Sequence, residues 1–155
     1  MTWEESIALG AQAERRVIEA FTGAGWCCIG HGLAQIGRLQ LPILTPLGEA
    51  PSTDFVAFRG GDYRLVEVKT KTPLDRGGFG LDKAQWITLL NHEKLTPGRV
   101  LLAIEDRNAD ALLVAQIDHL KPSATWSHDE RFVFLDYHLF FPLGDFLKGH
   151  EKWHG

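Results

Sequence analysis

The sequence predicts a mixed α/β (α+β) fold built around one β-hairpin, and three observations carry that. Residues 54–58 and 63–70 are apolar-rich runs joined by Arg59-Gly60-Gly61-Asp62. A Gly-Gly pair between two such runs is a strong signal for a two-residue turn, read here with positive φ at both glycines. Residues 2 to about 22 and 81–95 carry apolar side chains at helical spacing on either side of it. Residues 99–104 and 111–117 then read as two further strands, joined as a hairpin by the polar turn 105–110.

The first helix starts at Thr2, a good N-cap, with Glu4 and Glu5 in the first turn where acidic residues are favoured. Its apolar face is Ile7, Gly10, Ala11, Val17, Ile18 and Phe21, and Glu14 falls in the middle of that arc. A glutamate there is unexpected for a core-facing helix. It is a rim residue paired with Arg15 or Arg38, or a group placed for chemistry. Gly10 is read as a point of close approach to another element. Gly23 and Gly25 end the helix. Residues 26–29 read as a strand extending to Leu33. Residues 34–51, rich in proline and glycine, read as a loop with a brief strand at 38–44. A loop this long that leads directly into Asp54 borders a substrate groove or is a tolerated insertion.

The hairpin's register follows from its turn. With Gly60 and Gly61 as the turn, Arg59 faces Asp62 and the numbers of paired residues sum to 121. Asp54 then lies opposite Glu67, on one sheet face, with Cβ atoms about 4.5–5.5 Å apart. Lys69 shares that face, diagonal to Asp54. The rest of the face is Val56, Phe58, Tyr63 and Leu65, which predicts burial. Like charges opposed on a strand pair destabilise it. Two carboxylates there call for a hard divalent cation between them, or for one to be protonated. The competing reading is a lysine salt bridge beside a partly solvated acid, and a bulge would turn Asp54 away.

Residues 71–80 follow as a flexible, glycine-rich loop with Arg76 at its middle. The helix at 81–95 has Asp82 near its start, with Gln85, Thr88 and His92 on the same stripe, and Pro97-Gly98 closes it. Residues 118–120 read as a short helical turn ended by Pro122, 123–130 as loop, 131–141 as an aromatic-rich strand, and 144–153 as a last short helix.

Composition sets bounds on function. At 155 residues the chain reads as one domain, 1–155, with ordinary globular fractions of 45% hydrophobic and 23% charged residues. No run approaches the ~20 apolar residues of a membrane span. The acidic start, MTWEESIALG, is not a signal peptide. The only cysteines, Cys27 and Cys28, are adjacent, which suits packing in a reducing cytoplasm. A net charge of −4 predicts weak non-specific binding to nucleic acid. Local charge differs: Arg59, Arg64, Lys69, Lys71, Arg76 and Lys83 cluster in and after the hairpin.

The ordered set Glu14, Asp54, Glu67-Val68-Lys69 and Gln85, each in matching helix or strand context, resembles the PD-(D/E)xK nuclease superfamily, especially its small Holliday-junction-resolvase-like and restriction-endonuclease-like members. The resemblance covers residues 7–105; Thr53 replaces the proline of the motif. It implies a restriction-endonuclease-like core, with a central mixed β-sheet flanked by helices. In that sheet an antiparallel meander is followed by a strand parallel to its last member, across the 81–95 helix. It implies that Asp54, Glu67 and the Val68 carbonyl bind Mg²⁺ or Mn²⁺, with Glu14 completing the shell directly or through water. Lys69 would orient or activate water and stabilise phosphate charge, and Gln85 would contact the phosphate or hold Lys69. Lys71, Arg76 and Lys83 would meet the DNA. The chemistry suits these residue types, because a carboxylate-held metal activates water and neutralises developing charge.

Other readings stay in play. The seven histidines are scattered; only His150 and His154 have helical i,i+4 spacing, so a zinc site is disfavoured. The five tryptophans read as packing residues rather than base platforms. A non-catalytic module of the same fold, binding DNA or a protein partner, is the alternative to the nuclease. The apolar stretch 131–146 is either a homodimer interface or core.

Overall fold

A computed structural model describes residues 1–30 and 42–150 of the chain. The predicted strand end at Leu33, the first part of the predicted strand at 38–44, Arg38, and the last residues of the terminal helix lie outside them. Helix α1 (Trp3–Gly23) opens with a full capping box: the Thr2 hydroxyl accepts from the Glu5 N–H, and the Glu5 carboxylate accepts from the Thr2 N–H. Strand β1 (Cys27–Gly30) follows. A small hairpin, β2 (Ile43–Thr45) and β3 (Gly48–Ala50), replaces the predicted loop. Its turn, Thr45-Pro46-Leu47-Gly48, has proline second and glycine fourth, a turn signature that the long-loop reading passed over.

Strands β4 (Phe55–Arg59) and β5 (Asp62–Lys71) pair antiparallel in the predicted register, Phe55 with Val66 and Arg59 with Asp62. Of the two turn glycines only Gly60 has positive φ, 58°, so the turn needs glycine at its first central position alone. Strand β6 (Gly78–Asp82) lies where a flexible loop was expected. Its glycines are packing residues, not hinges: a Cβ on Gly78 would stand 2.3 Å from the Leu135 carbonyl and against the Phe134 ring. Helix α2 (Lys83–Leu95) therefore begins two residues later than predicted, capped by Asp82, which accepts from the Gln85 N–H. Strands β7 (Val100–Asp106) and β8 (Ala111–Gln116) form the expected hairpin. The rest comprises α3 (Ile117–Leu120), β9 (Thr125–Trp126), β10 (Phe132–Asp136), β11 (Phe141–Pro142) and α4 (Leu143–His150). The single strand predicted over 131–141 is broken by a 3₁₀ turn at Tyr137–Leu139, where Asp136 accepts from the His138 N–H.

The main sheet is mixed, in the order β1-β4-β5-β7-β8-β11, and β5 and β7 are its parallel pair, crossed over by α2. Strand β7 is buried on both faces: Leu101 and Ala103 point to one side, Val100, Leu102 and Ile104 to the other. One core layer packs α1 and α4 on the sheet through Val17, Phe21, Phe55, Val66, Val114 and Leu147. Phe21 meets Trp26 and Phe55 edge to face, at 5.6 Å between centroids in each case. The other layer packs α2 and a second sheet, β6-β10-β9, on the opposite face.

Three expectations need correction, and one open alternative is narrowed. The hairpin face with Glu67 and Lys69 is not the fully buried one: Phe58 and Tyr63 on it are about two-fifths exposed, while Phe55, Ala57 and Val66 on the other face are sealed by α1. Along α1, Ile7 and Gly10 face solvent, and Gly10 approaches nothing. Trp26 and Trp86 are core, but Trp3 and Trp126 are exposed. The apolar stretch after residue 131 is largely core, through Val133, Leu135, Phe140 and Leu143, with Phe132 and Phe141 left outside.

Candidate active site

Asp54 stands just before β4, and the alternation of the ladder turns it toward β5. The Val68 N–H donates to Asp54 Oδ2 at 2.8 Å. A strand residue's N–H and C=O share an edge, so the Val68 carbonyl points to the same side, beyond the first residue of β4. Glu67 and Lys69 project from the same face of β5, and Lys69 Nζ lies 3.0 Å from Glu67 Oε1.

Glu14 approaches from α1, on the other side of the sheet. It is buried, at 9% exposure, and its Oε1 has no hydrogen-bond partner. Among the described residues no cation pairs with it, so the expected Arg15 partner is absent. Its carboxyl is pushed up to about 7, by burial first and then by the charges of Asp54 and Glu67. The charges of Asp54 and Glu67 thus reach Glu14 across the sheet. Burial raises Asp54 as well, opposed by the Val68 N–H and Lys69. Glu67 rises to about 7 through burial and the Asp54 charge, with Lys69 pulling it back.

The remaining predicted residues are spread over α2 and the segment before it. Gln85 sits in the first turn of α2, and its amide oxygen is buried without a partner. Among the described residues no hydrogen bond joins it to Lys69, whose partner is Glu67. Lys71 ends β5; it is lowered by burial and by the Lys69 charge, with Asp82 opposing. Arg76 and Lys83 are exposed; the Arg76 guanidinium lies 4.0 Å from the centroid of the Phe134 ring, and Lys83 Nζ 6.0 Å from that of Trp126.

The donor set is all oxygen, carries excess negative charge and includes an orphaned buried carboxylate oxygen, which suits a hard divalent cation. Among the described residues, no three His, Cys, Asp or Glu side chains are arranged as a ready metal cluster. The fitting part is thus the Asp54–Glu67 pair with the Val68 carbonyl; Mg²⁺ ordinarily takes one or two carboxylates and keeps several waters. One contributor escaped the sequence reading. His92, noted only as a member of the α2 stripe, is 1% exposed, and its Nε2 meets the Pro51 carbonyl in the segment leading to Asp54.

No helix among the described residues is long and apolar enough to cross a membrane. No protein-family model matches the chain, and no curated protein matches it either. Among solved structures, the chain is similar to Hjc, a Holliday junction resolvase from Archaeoglobus fulgidus, with a TM-score of 0.59 and 19% identity over 89% of this chain and 99% of that one. A nuclease from a fusselovirus matches with a TM-score of 0.48 and 12% identity over 97% of this chain and 94% of that one. The chain has a mixed α/β fold, its central mixed sheet flanked by helices, similar to that of the Hjc nuclease.

Proposed function

We propose that the chain is a metal-dependent nuclease of the PD-(D/E)xK type that hydrolyses DNA phosphodiester bonds, with residues 1–155 acting as one nuclease-like domain. The carrying observation is the meeting of Asp54, Glu67 and Lys69 between the interior strands β4 and β5 of a resolvase-like sheet, with Glu14 added from α1. Asp54, Glu67 and the Val68 carbonyl would hold Mg²⁺ or Mn²⁺, and Glu14 fits a through-water role. When bound, the ion polarises the attacking water and neutralises charge on the phosphate. The Lys69 ammonium, aligned by Glu67, offsets the negative charge that builds on the phosphoryl oxygens. The unpartnered oxygen of Gln85 accepts from a water or from Lys69 once Lys69 turns from Glu67. Lys71, Arg76 and Lys83 take flanking phosphates, as cations carried by the end of β5, the turn before β6 and the start of α2. The resolvase likeness makes four-way junctions the first substrate to try, cut by a pair of copies in a reducing cytoplasm.

The test is a cleavage panel of junction, flap, duplex and single-stranded DNA with Mg²⁺ and with Mn²⁺. Cleavage that depends on the metal and is abolished by Glu67→Ala and by Lys69→Ala, without unfolding, is the expected result. Equal cleavage by wild type and both variants removes this site from the chemistry. The Lys69–Glu67 ion pair favours a second reading, a nuclease-fold module that binds DNA or a protein without cutting. DNA binding with no cleavage of any substrate, and no metal effect on melting, would establish it.

A further inference from the structure

We propose that His92 is a positioning residue for Asp54: from α2 it grips the Pro51 carbonyl and so sets where the Asp54 carboxylate meets β5. Its functional meaning rests on the nuclease reading, because a displaced Asp54 would matter through the metal. The segment between β3 and β4 runs from Pro51 to Asp54, and among the described residues it joins no sheet ladder. Its path is therefore set by side-chain anchors. Two are local to the hairpin: the Thr53 hydroxyl donates to the Phe55 carbonyl at 3.1 Å, and Asp54 accepts from the Val68 N–H. The third, His92, reaches across 41 positions from a different layer of the molecule.

The chemistry of the contact is fixed by its partner. A carbonyl only accepts, so His92 Nε2 must carry the hydrogen. The ring is sealed from water, and among the described residues its buried Nδ1 has no partner. Packing alone would be better served there by an aliphatic side chain, like Leu89 one turn earlier on the same buried face. An imidazole that leaves one nitrogen unsatisfied to place a donor on one carbonyl is suited to fixing that carbonyl. Pro51 precedes Asp54 by three residues, and a functional group misplaced by about 1 Å can cost on the order of a hundredfold in rate.

Two variants separate positioning from packing. His92→Leu keeps an apolar side chain and removes the donor; His92→Gln returns an N–H to about the place of Nε2. Amide hydrogen exchange at Val68, measured without metal or DNA, reads whether Asp54 still accepts its bond. His92→Leu is expected to speed that exchange by about tenfold, the scale of one ordinary hydrogen bond, and His92→Gln to restore most of it. Mn²⁺ affinity should weaken and recover in parallel. In the cleavage assay kcat should fall in His92→Leu with KM near wild type. Val68 exchange in His92→Leu that matches wild type, or a His92→Gln variant no better than His92→Leu, overturns the proposal. A wild type that neither binds Mn²⁺ nor cuts DNA removes the nuclease reading, while the exchange measurement still decides the tether.

Discussion

Strand β5 carries a buried carboxylate at its start and a group of carboxylates past its middle, and the two sites are built differently. At its start, Asp62 is paired with Arg99 and, at 3.4 Å, with Arg64; Arg64 also donates to the Gly98 carbonyl at 3.0 Å. Past its middle, Glu67 pairs with Lys69, whose charge also acts on Asp54; among the described residues Glu14 has no cation beside it and one of its oxygens has no hydrogen-bond partner. Burying a carboxylate costs several kcal/mol, roughly, unless charge and hydrogen bonds offset it. The Asp62 end meets that demand within the protein and is closed. The Glu67 end does not meet it among the described residues, and burial with like charge pushes Glu14 and Glu67 up to about 7. Carboxylates along one strand thus serve structure at one end and, in the proposed function, chemistry at the other.

The largest expected effect is at the closed end. Asp62→Asn leaves the buried Arg64 without its charge partner and should destabilise the protein by about 3 kcal/mol, measured by denaturant unfolding. A loss below about 1 kcal/mol would erase the contrast between the two ends.

The next effect is a pH dependence that belongs to the open end. Glu14 and Glu67 titrate near 7 when folded, above their ordinary value of 4.5. The folded state therefore holds protons that the unfolded state has released. Their stabilising effect is full below about pH 4.5 and is lost as pH rises through 7. In chelator, stability should fall by roughly 2 kcal/mol over that window, less than two independent shifts would give because the groups interact. Glu14→Gln should flatten the fall. Because a metal needs deprotonated carboxylates, Mn²⁺ should stabilise wild type more at pH 8 than at pH 6. A flat profile in chelator for wild type would show that the carboxyls do not share charge.

A smaller effect comes from Asp54→Asn, which keeps shape and removes one of the opposed charges. At ~5 Å and an effective dielectric near 20 that repulsion is about 3 kcal/mol before Lys69 and solvent reduce it. Melting in chelator should leave the variant equal to wild type or up to about 1 kcal/mol more stable. Excess Mg²⁺ or Mn²⁺ should then raise the melting temperature of wild type much more than that of the variant. A destabilised variant in chelator, with no metal response in wild type, would make this end a salt bridge like the other. The smallest effect is on binding: Arg76→Ala and Lys83→Ala should each weaken DNA affinity and lower the salt slope by about one. Unchanged slopes would put the DNA surface elsewhere.

The sequence by itself determined the parts ruled by short-range geometry. Thr2 and Glu5 set the start of α1, and the Gly60-Gly61 turn fixed the register that brings Asp54 to Glu67 and Lys69. Capping and the two-residue period of a strand act within a few residues, so they leave a local pattern. Glu14 was legible in its own helix only as an anomaly, a charge inside an apolar arc; its place beside Asp54 and Glu67 came from the family resemblance, not from any local period. The tertiary structure decided what depends on distant segments. It made a strand of Gly78–Asp82, because the Leu135 backbone and Phe134 ring press on Gly78, where the sequence offered only flexible glycines. It chose the sealed face of the hairpin by laying α1 over Phe55 and Val66, where the sequence predicts burial for the opposite face of Val56, Phe58, Tyr63 and Leu65. It also brought His92 to Pro51, a contact between a helix and an irregular segment that follows no period. Such contacts are set by how layers pack, and packing between layers leaves no repeat in the chain that makes it.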